Sequence, residues 1–124
     1  MFFSKTAGHK WIDRGHLAAP DFELADFTRD GAWYELDLSG IIPKNAVAVD
    51  VRITCRETTA DTQCLLSTDG AIGEYNTINA WTQSTTSYLC IMGLLTPTTD
   101  QKISYKFATG TWGFIECVIR GWWI

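Results

Sequence analysis

Between Arg56 and Lys102 this 124-residue chain contains no lysine and no arginine. Such a stretch leaves no basic face for phosphate, and the whole chain is acidic: 10 Lys and Arg against 14 Asp and Glu, net charge −4, pI near 5.0. Nucleic acid is therefore excluded as the main partner, because neutralising phosphates needs a basic surface. Long apolar runs are also missing. None approaches the ~20 residues of a helical membrane span. Met1, Phe2 and Phe3 run straight into Ser4 and Lys5, which predicts no signal peptide. Histidine is confined to His9 and His16, seven residues apart and away from any carboxylate cluster. Neither a Ser-His-Asp nor a Cys-His arrangement can be assembled without folding one of them back onto the domain. No phosphate-binding glycine loop, zinc-protease helix or EF-hand spacing occurs.

The four cysteines stand at 55, 64, 90 and 117. They form no C-x-x-C pair, which argues against zinc. Without an export signal a disulfide framework is not expected either. Cys55 and Cys117 fall in phase with apolar neighbours, as small core residues do. No cofactor or metal is expected. Asp69-Gly70-Ala71-Ile72-Gly73-Glu74 places two carboxylates in a glycine-rich loop, but lacks the alternating oxygen ligands of a calcium cage and reads as a turn. Glu35 and Asp37 share one strand face and read as solvent-facing rather than as a glycosidase pair.

What is present is a β pattern. Hydrophobic residues make up 46% of the chain and charged residues only 19%, too apolar for disorder. Thr and Trp are abundant, and both favour strands. Residues 1–20 have no clear period and read as an N-terminal arm ahead of a domain over 21–124. Phe22 to Phe27 is a short apolar run, followed by a turn at Thr28-Arg29-Asp30-Gly31. Trp33 to Leu38 alternates, with Tyr34, Leu36 and Leu38 on one face. Ala46 to Arg56 is the cleanest strand: Val47, Val49, Val51, Ile53 and Cys55 face in, and the intervening residues face out. A helix is excluded there, because β-branched residues recur at period two and not 3.6. Gln63 to Ser67 is a short strand; Ala71 to Gln83 has no clear period. Ser87 to Thr96 is an apolar strand interrupted at Gly93, a position that fits a bulge. Lys102 to Ala108 alternates, with Ile103, Tyr105 and Phe107 inward. Phe114 to Ile124 is the last strand, with Ile115, Cys117, Ile119 and Trp123 opposed to Glu116, Arg120 and Trp122. About eight strands, regular turn signals and no amphipathic helix predict an all-β, antiparallel two-sheet sandwich of jelly-roll type. Val49, Val51, Ile53, Tyr105 and Phe107 are the expected core.

The tryptophans are the candidate binding residues. Trp81 and Trp112 sit beside turns, where an exposed indole can stack on a sugar or anchor an interface. Trp122 and Trp123 must lie on opposite faces, and Trp122 is expected outward.

The segment Trp33-Tyr34-Glu35-Leu36-Asp37-Leu38-Ser39-Gly40-Ile41-Ile42-Pro43-Lys44-Asn45-Ala46-Val47-Ala48-Val49 resembles a strand–loop–strand motif of small β domains in tailed-bacteriophage virion proteins. Lys102-Ile103-Ser104-Tyr105-Lys106 and the terminal Val118-Ile119-Arg120-Gly121-Trp122-Trp123-Ile124 are similar to later parts of the same pattern. The resemblance spans about residues 27–124. It implies a jelly-roll-like domain of the kind found in capsid decoration, head fibres and tail fibres, with no catalytic residues. The implied function is a non-enzymatic virion structural protein, made in the host cytoplasm and carried on the particle. Residues 1–20 lie outside the match and are expected, as an arm, to dock on another virion protein; a homo-oligomer, with a trimer preferred, follows from the resemblance. Independently of it, self-association is expected through the charge-poor stretch 57–101, which is easily desolvated, or through the C-terminal aromatic strand. The alternative is a carbohydrate-binding module that recognises a host-surface glycan.

Overall fold

Alternating apolar residues commit most of the chain to strands, and the computed structural model describes residues 8–68, 77–83 and 87–124. The strands are β1 (Trp11–Asp13), β2 (Phe22–Glu23), β3 (Trp33–Asp37), β4 (Ala48–Glu57), β5 (Gln63–Thr68), β6 (Thr77–Trp81), β7 (Leu89–Leu95), β8 (Lys102–Phe107) and β9 (Trp112–Trp123). A 3-10 turn, Leu24–Asp26, follows β2. Among the described residues no helix is long and apolar enough to cross a membrane.

Two antiparallel sheets form. The first has the order β1-β9-β4-β7, with β2 also on β9; the second has the order β3-β8-β5-β6. Each connection from β2 onward passes to the other sheet, except that β5 and β6 are neighbours in one. This interleaving is the strand order of a jelly roll. The core lies between the sheets. Val49, Val51, Ile53, Cys55, Ile115, Cys117 and Ile119 face Leu36, Cys64, Leu66, Ile103, Tyr105 and Phe107, all buried. The five residues expected as core are among them. Phe27 closes one end, edge-on to the rings of Tyr105 at 4.9 Å and Phe107 at 5.2 Å.

The expected free arm is corrected for residues 8–20. Trp11, Ile12 and Asp13 pair with Trp123, Trp122 and Gly121 as an edge strand of the first sheet. Residues 1–7 lie outside the described residues. Three residues in register with β9 are too short a period to announce a strand in sequence. Between β1 and β2 the margin of β9 is completed by side chains. Asp21 Oδ2 accepts from Ile119 N–H at 2.8 Å, and Arg14 Nη1 donates to the Ile119 carbonyl at 2.8 Å. Arg14 and Asp21 pair with each other at 2.6 Å. The two side chains thus supply the hydrogen bonds that a continuous edge strand would have made.

β9 departs from strict alternation twice. Asp50 faces Gly121 and Val51 faces Ile119, so Arg120 is an extra residue; Arg56 faces Phe114 and Glu57 faces Trp112, so Gly113 is another. Each bulge exchanges the faces of the residues beyond it. This corrects the orientation at the C-terminus: Trp122 packs against the core, and Trp123 points outward, 37% exposed. Gly93 shows no bulge, since β7 runs in register along β4. A Cβ at Gly93 would meet Ile78 Cδ1 at 2.7 Å, so glycine there lets β7 close onto β6.

Glu57, at the end of β4, is buried without a cation beside it. Its carboxylate accepts from Thr59 N–H, Thr62 Oγ1 and Thr111 N–H, each at 2.7 Å, and from Thr58 Oγ1 at 3.2 Å. Burial pushes its pKa up, but these donors outweigh burial and hold it below the usual glutamate range. The charge ties the β4–β5 loop to the turn before β9.

Candidate functional site: the outer face of the first sheet

The predicted tryptophans separate. Trp81, at the end of β6, is 49% exposed. It stands on the margin of the second sheet, paired across from Gln63. Trp112 is corrected: it is 3% exposed, its indole N–H donates to the Ala108 carbonyl at 2.9 Å, and its ring meets Phe107 edge-on at 5.1 Å. The bulge at Gly113 turns it inward, so it is a core residue and not a stacking platform. Trp122 is half-buried against the core and presents no outer platform. The three are not brought together.

The structure assembles a different group. Trp11 and Trp123 are direct partners across β1 and β9, with ring centroids 5.6 Å apart and planes tilted by 52°. Trp11 lies over Gly121, where a Cβ would come within 2.6 Å of its ring carbons and against the Ile12 carbonyl. Only glycine permits that approach. Met92 and Leu94 of β7 are 57% and 59% exposed on the same face. Between them and the indoles stand Asp50 and Arg120, 3.5 Å apart. Arg120 Nη1 also lies 3.0 Å from Met92 Sδ. These six residues with Gly93 line a groove of about 550 Å³.

A second groove, about 530 Å³, adjoins it and shares Arg120. It is polar where the first is apolar. Its floor carries Arg52 and Glu116, and the segment from Gly15 to Pro20 forms its wall. One face of the sandwich thus bears an aromatic groove continuing into a charged one. Sequence reading assigned Trp123 to the core and missed Trp11, Asp50 and Arg120. The available signal was Gly121, a glycine inside an otherwise apolar strand, which marks a bulge or a close approach.

Other chemistry is sparse. Among the described residues no grouping of His, Cys, Asp and Glu could hold a metal ion. The Asp69–Glu74 loop lies outside the described residues. His9 and His16 are exposed, and His9 Nδ1 is 3.3 Å from the Ile124 carbonyl. Cys55, Cys64 and Cys117 are buried; Cys90 is exposed, and Arg52 Nε donates to its sulfur at 3.2 Å. That bond draws the Cys90 thiol below its ordinary pKa. Burial pushes Cys117 up to about 12. The bond to Cys55, together with burial, raises Cys64 well above its ordinary value.

Comparison with protein-family models and with curated proteins finds no match to this chain.

Proposed function

We propose that this protein is a non-enzymatic accessory domain of a tailed-bacteriophage particle, made in the host cytoplasm and carried on the virion as a homo-oligomer. The observation that carries the reading is the jelly-roll strand order, because the three motifs that resemble virion β domains fall on its β3, β8 and β9. Fold alone does not specify function; the distribution of apolar surface adds to it. Of the large hydrophobic residues that are exposed, Trp81, Tyr88, Met92 and Leu94 all fall in the stretch without lysine or arginine. β6 and β7, which carry three of them, contain no charged residue. They terminate the two sheets, each next to the other. The opposite margin is different: β3 carries Glu35 and Asp37 outward, and Lys102 pairs with Glu35 at 3.0 Å. Charged edges resist pairing with another chain and uncharged edges invite it. The β6–β7 margin with Trp81 is therefore our candidate for self-association, and a trimer our candidate closed ring. Of residues 1–20, the part ahead of β1 is our candidate contact with a neighbouring virion protein, since Trp11–Asp13 are already paired with β9.

Two experiments test this. Sedimentation equilibrium of the purified chain should give a trimer that Trp81→Glu returns to a monomer with an unchanged far-ultraviolet circular dichroism spectrum. A monomer at all concentrations refutes self-association of the free chain. Antibody against the chain should label purified phage particles at regular positions by immunogold microscopy. Label confined to the soluble fraction of the lysate refutes the virion assignment.

A further inference from the structure

We infer that the outer face of the first sheet is a saccharide-binding site, with Trp123 and Trp11 as the stacking surface and Asp50 and Arg120 as the hydroxyl-binding pair. It requires that Trp11 and the outer face of β7 stay uncovered when the protein is assembled.

The composition of the groove selects the ligand. A groove of about 550 Å³ is within the size of ligand clefts, roughly 300–1,000 Å³. Its walls are apolar and aromatic, yet its centre holds a carboxylate and a guanidinium. A purely apolar ligand such as an acyl chain would cover that pair and strip its water without replacing the hydrogen bonds. An anionic polymer would find no basic track: the two arginines of this face, Arg52 and Arg120, stand among Asp13, Asp50 and Glu116 on a chain of net charge −4. A pyranose ring satisfies both parts. Its C–H face covers an indole. Its vicinal hydroxyls lie at the ring edge, where one donates to Asp50 and its neighbour accepts from Arg120. With the two side chains 3.5 Å apart, adjacent hydroxyls can engage both at once. The carboxylate is acceptor-only and the guanidinium donor-only, so one hydroxyl donates to Asp50 while its neighbour accepts from Arg120.

The site is held in advance of binding. Trp11 is seated over Gly121 and fixed by β1 pairing with β9; Trp123 leans on Trp11. Preorganised rings lose little freedom when covered. The polar groove beyond Arg120, with Arg52 and Glu116, continues the track. The ligand is thus an oligosaccharide laid across the sheet, one unit stacked at Trp123 and the next units hydrogen-bonded beyond Arg120.

The test titrates the full chain with cellohexaose, chitohexaose, maltohexaose and purified bacterial O-polysaccharide, following tryptophan emission and heat. At least one should bind saturably, and Trp123→Ala and Asp50→Asn should each weaken it about tenfold or more, with Trp81→Ala unchanged. Melting curves confirm that each variant is folded. Absence of saturable binding to all four up to about 10 mM overturns the proposal. So does binding that Trp123→Ala and Asp50→Asn leave intact. If Trp123→Ala instead dissolves an oligomer and no saccharide binds, the face is a contact between copies and the inference is wrong. The trimer and immunogold results are read separately, so failure of one does not mimic failure of the other.

Discussion

Replacing Asp21 with alanine should destabilise the domain by about 2–4 kcal/mol, although Asp21 lies outside both β-sheets and the apolar core. Its carboxylate accepts from Arg14 at 2.6 Å and from the Ile119 N–H at 2.8 Å. A hydrogen bond to a charged group contributes roughly 1.5–3 kcal/mol, and stripping one partner from a buried pair costs about 3–5 kcal/mol. The pair here is only partly buried, 20% and 11% exposed, so Arg14 regains some water and the cost falls below the sum. The Ile119 N–H, between β1 and β2, keeps no protein partner. The measurement is urea unfolding followed by circular dichroism. With a slope of about 2 kcal/mol/M, mid-range for urea, the midpoint should drop by roughly 1–2 M. Asp21→Asn should cost less, because its amide oxygen can still accept from Ile119. A double-mutant cycle of Arg14→Ala with Asp21→Ala should show a coupling of about 1 kcal/mol or more. A loss below about 0.5 kcal/mol in Asp21→Ala, or additive single variants, would refute the role of these side chains in completing the margin of β9.

Glu57 gives a pH dependence of defined sign. Its folded pKa is held below the ordinary range, so its contribution is complete above about pH 5 and is lost as pH falls through the folded value. Glu57→Gln should lower stability at pH 7 and flatten that acid limb in urea midpoints taken from pH 7 to 3, since the amide turns a donor toward Thr59 or Thr111. Gly121→Ala should displace Trp11, because the new methyl occupies the ring's seat; the Trp11–Trp123 signature in near-ultraviolet circular dichroism should change while the far-ultraviolet spectrum is kept. Of the four cysteines, Cys90 alone should react with iodoacetamide in the folded protein, read by peptide mass spectrometry. Arg52→Ala should slow it several-fold at pH 7 by returning the thiol toward its ordinary pKa.

Particular residues show why the fold was legible in sequence and the site was not. Val49, Val51, Ile53 and Cys55 alternate within one regular ladder, and period two survives burial of one face, so β4 could be read directly. The same reasoning failed in β9. Regular alternation sends Trp123 inward with Ile119, but the extra residue Arg120 exchanges the faces, and a bulge is defined by a partner strand 70 residues away in the chain. Trp112 reads in sequence as a turn residue ahead of the last strand, whereas β9 begins at Trp112 and the extra residue Gly113 turns it inward. Trp11 had no local period to betray it, because β1 is three residues long and exists only through β9. Asp50 and Arg120 each read as ordinary outward polar residues; only the pairing of β4 with β9 sets them side by side.

The faces of the six tryptophans define both the sandwich core and the groove, and one measurement reads them all. The protein is labelled with 5-fluorotryptophan, resonances are assigned by single substitutions, and a soluble gadolinium chelate is added during fluorine NMR. Trp123 and Trp81 should broaden most, Trp122 far less and Trp112 least. Broadening of Trp122 with protection of Trp123 would show that β9 keeps strict alternation, and would contradict both the bulge at Arg120 and the groove built on it.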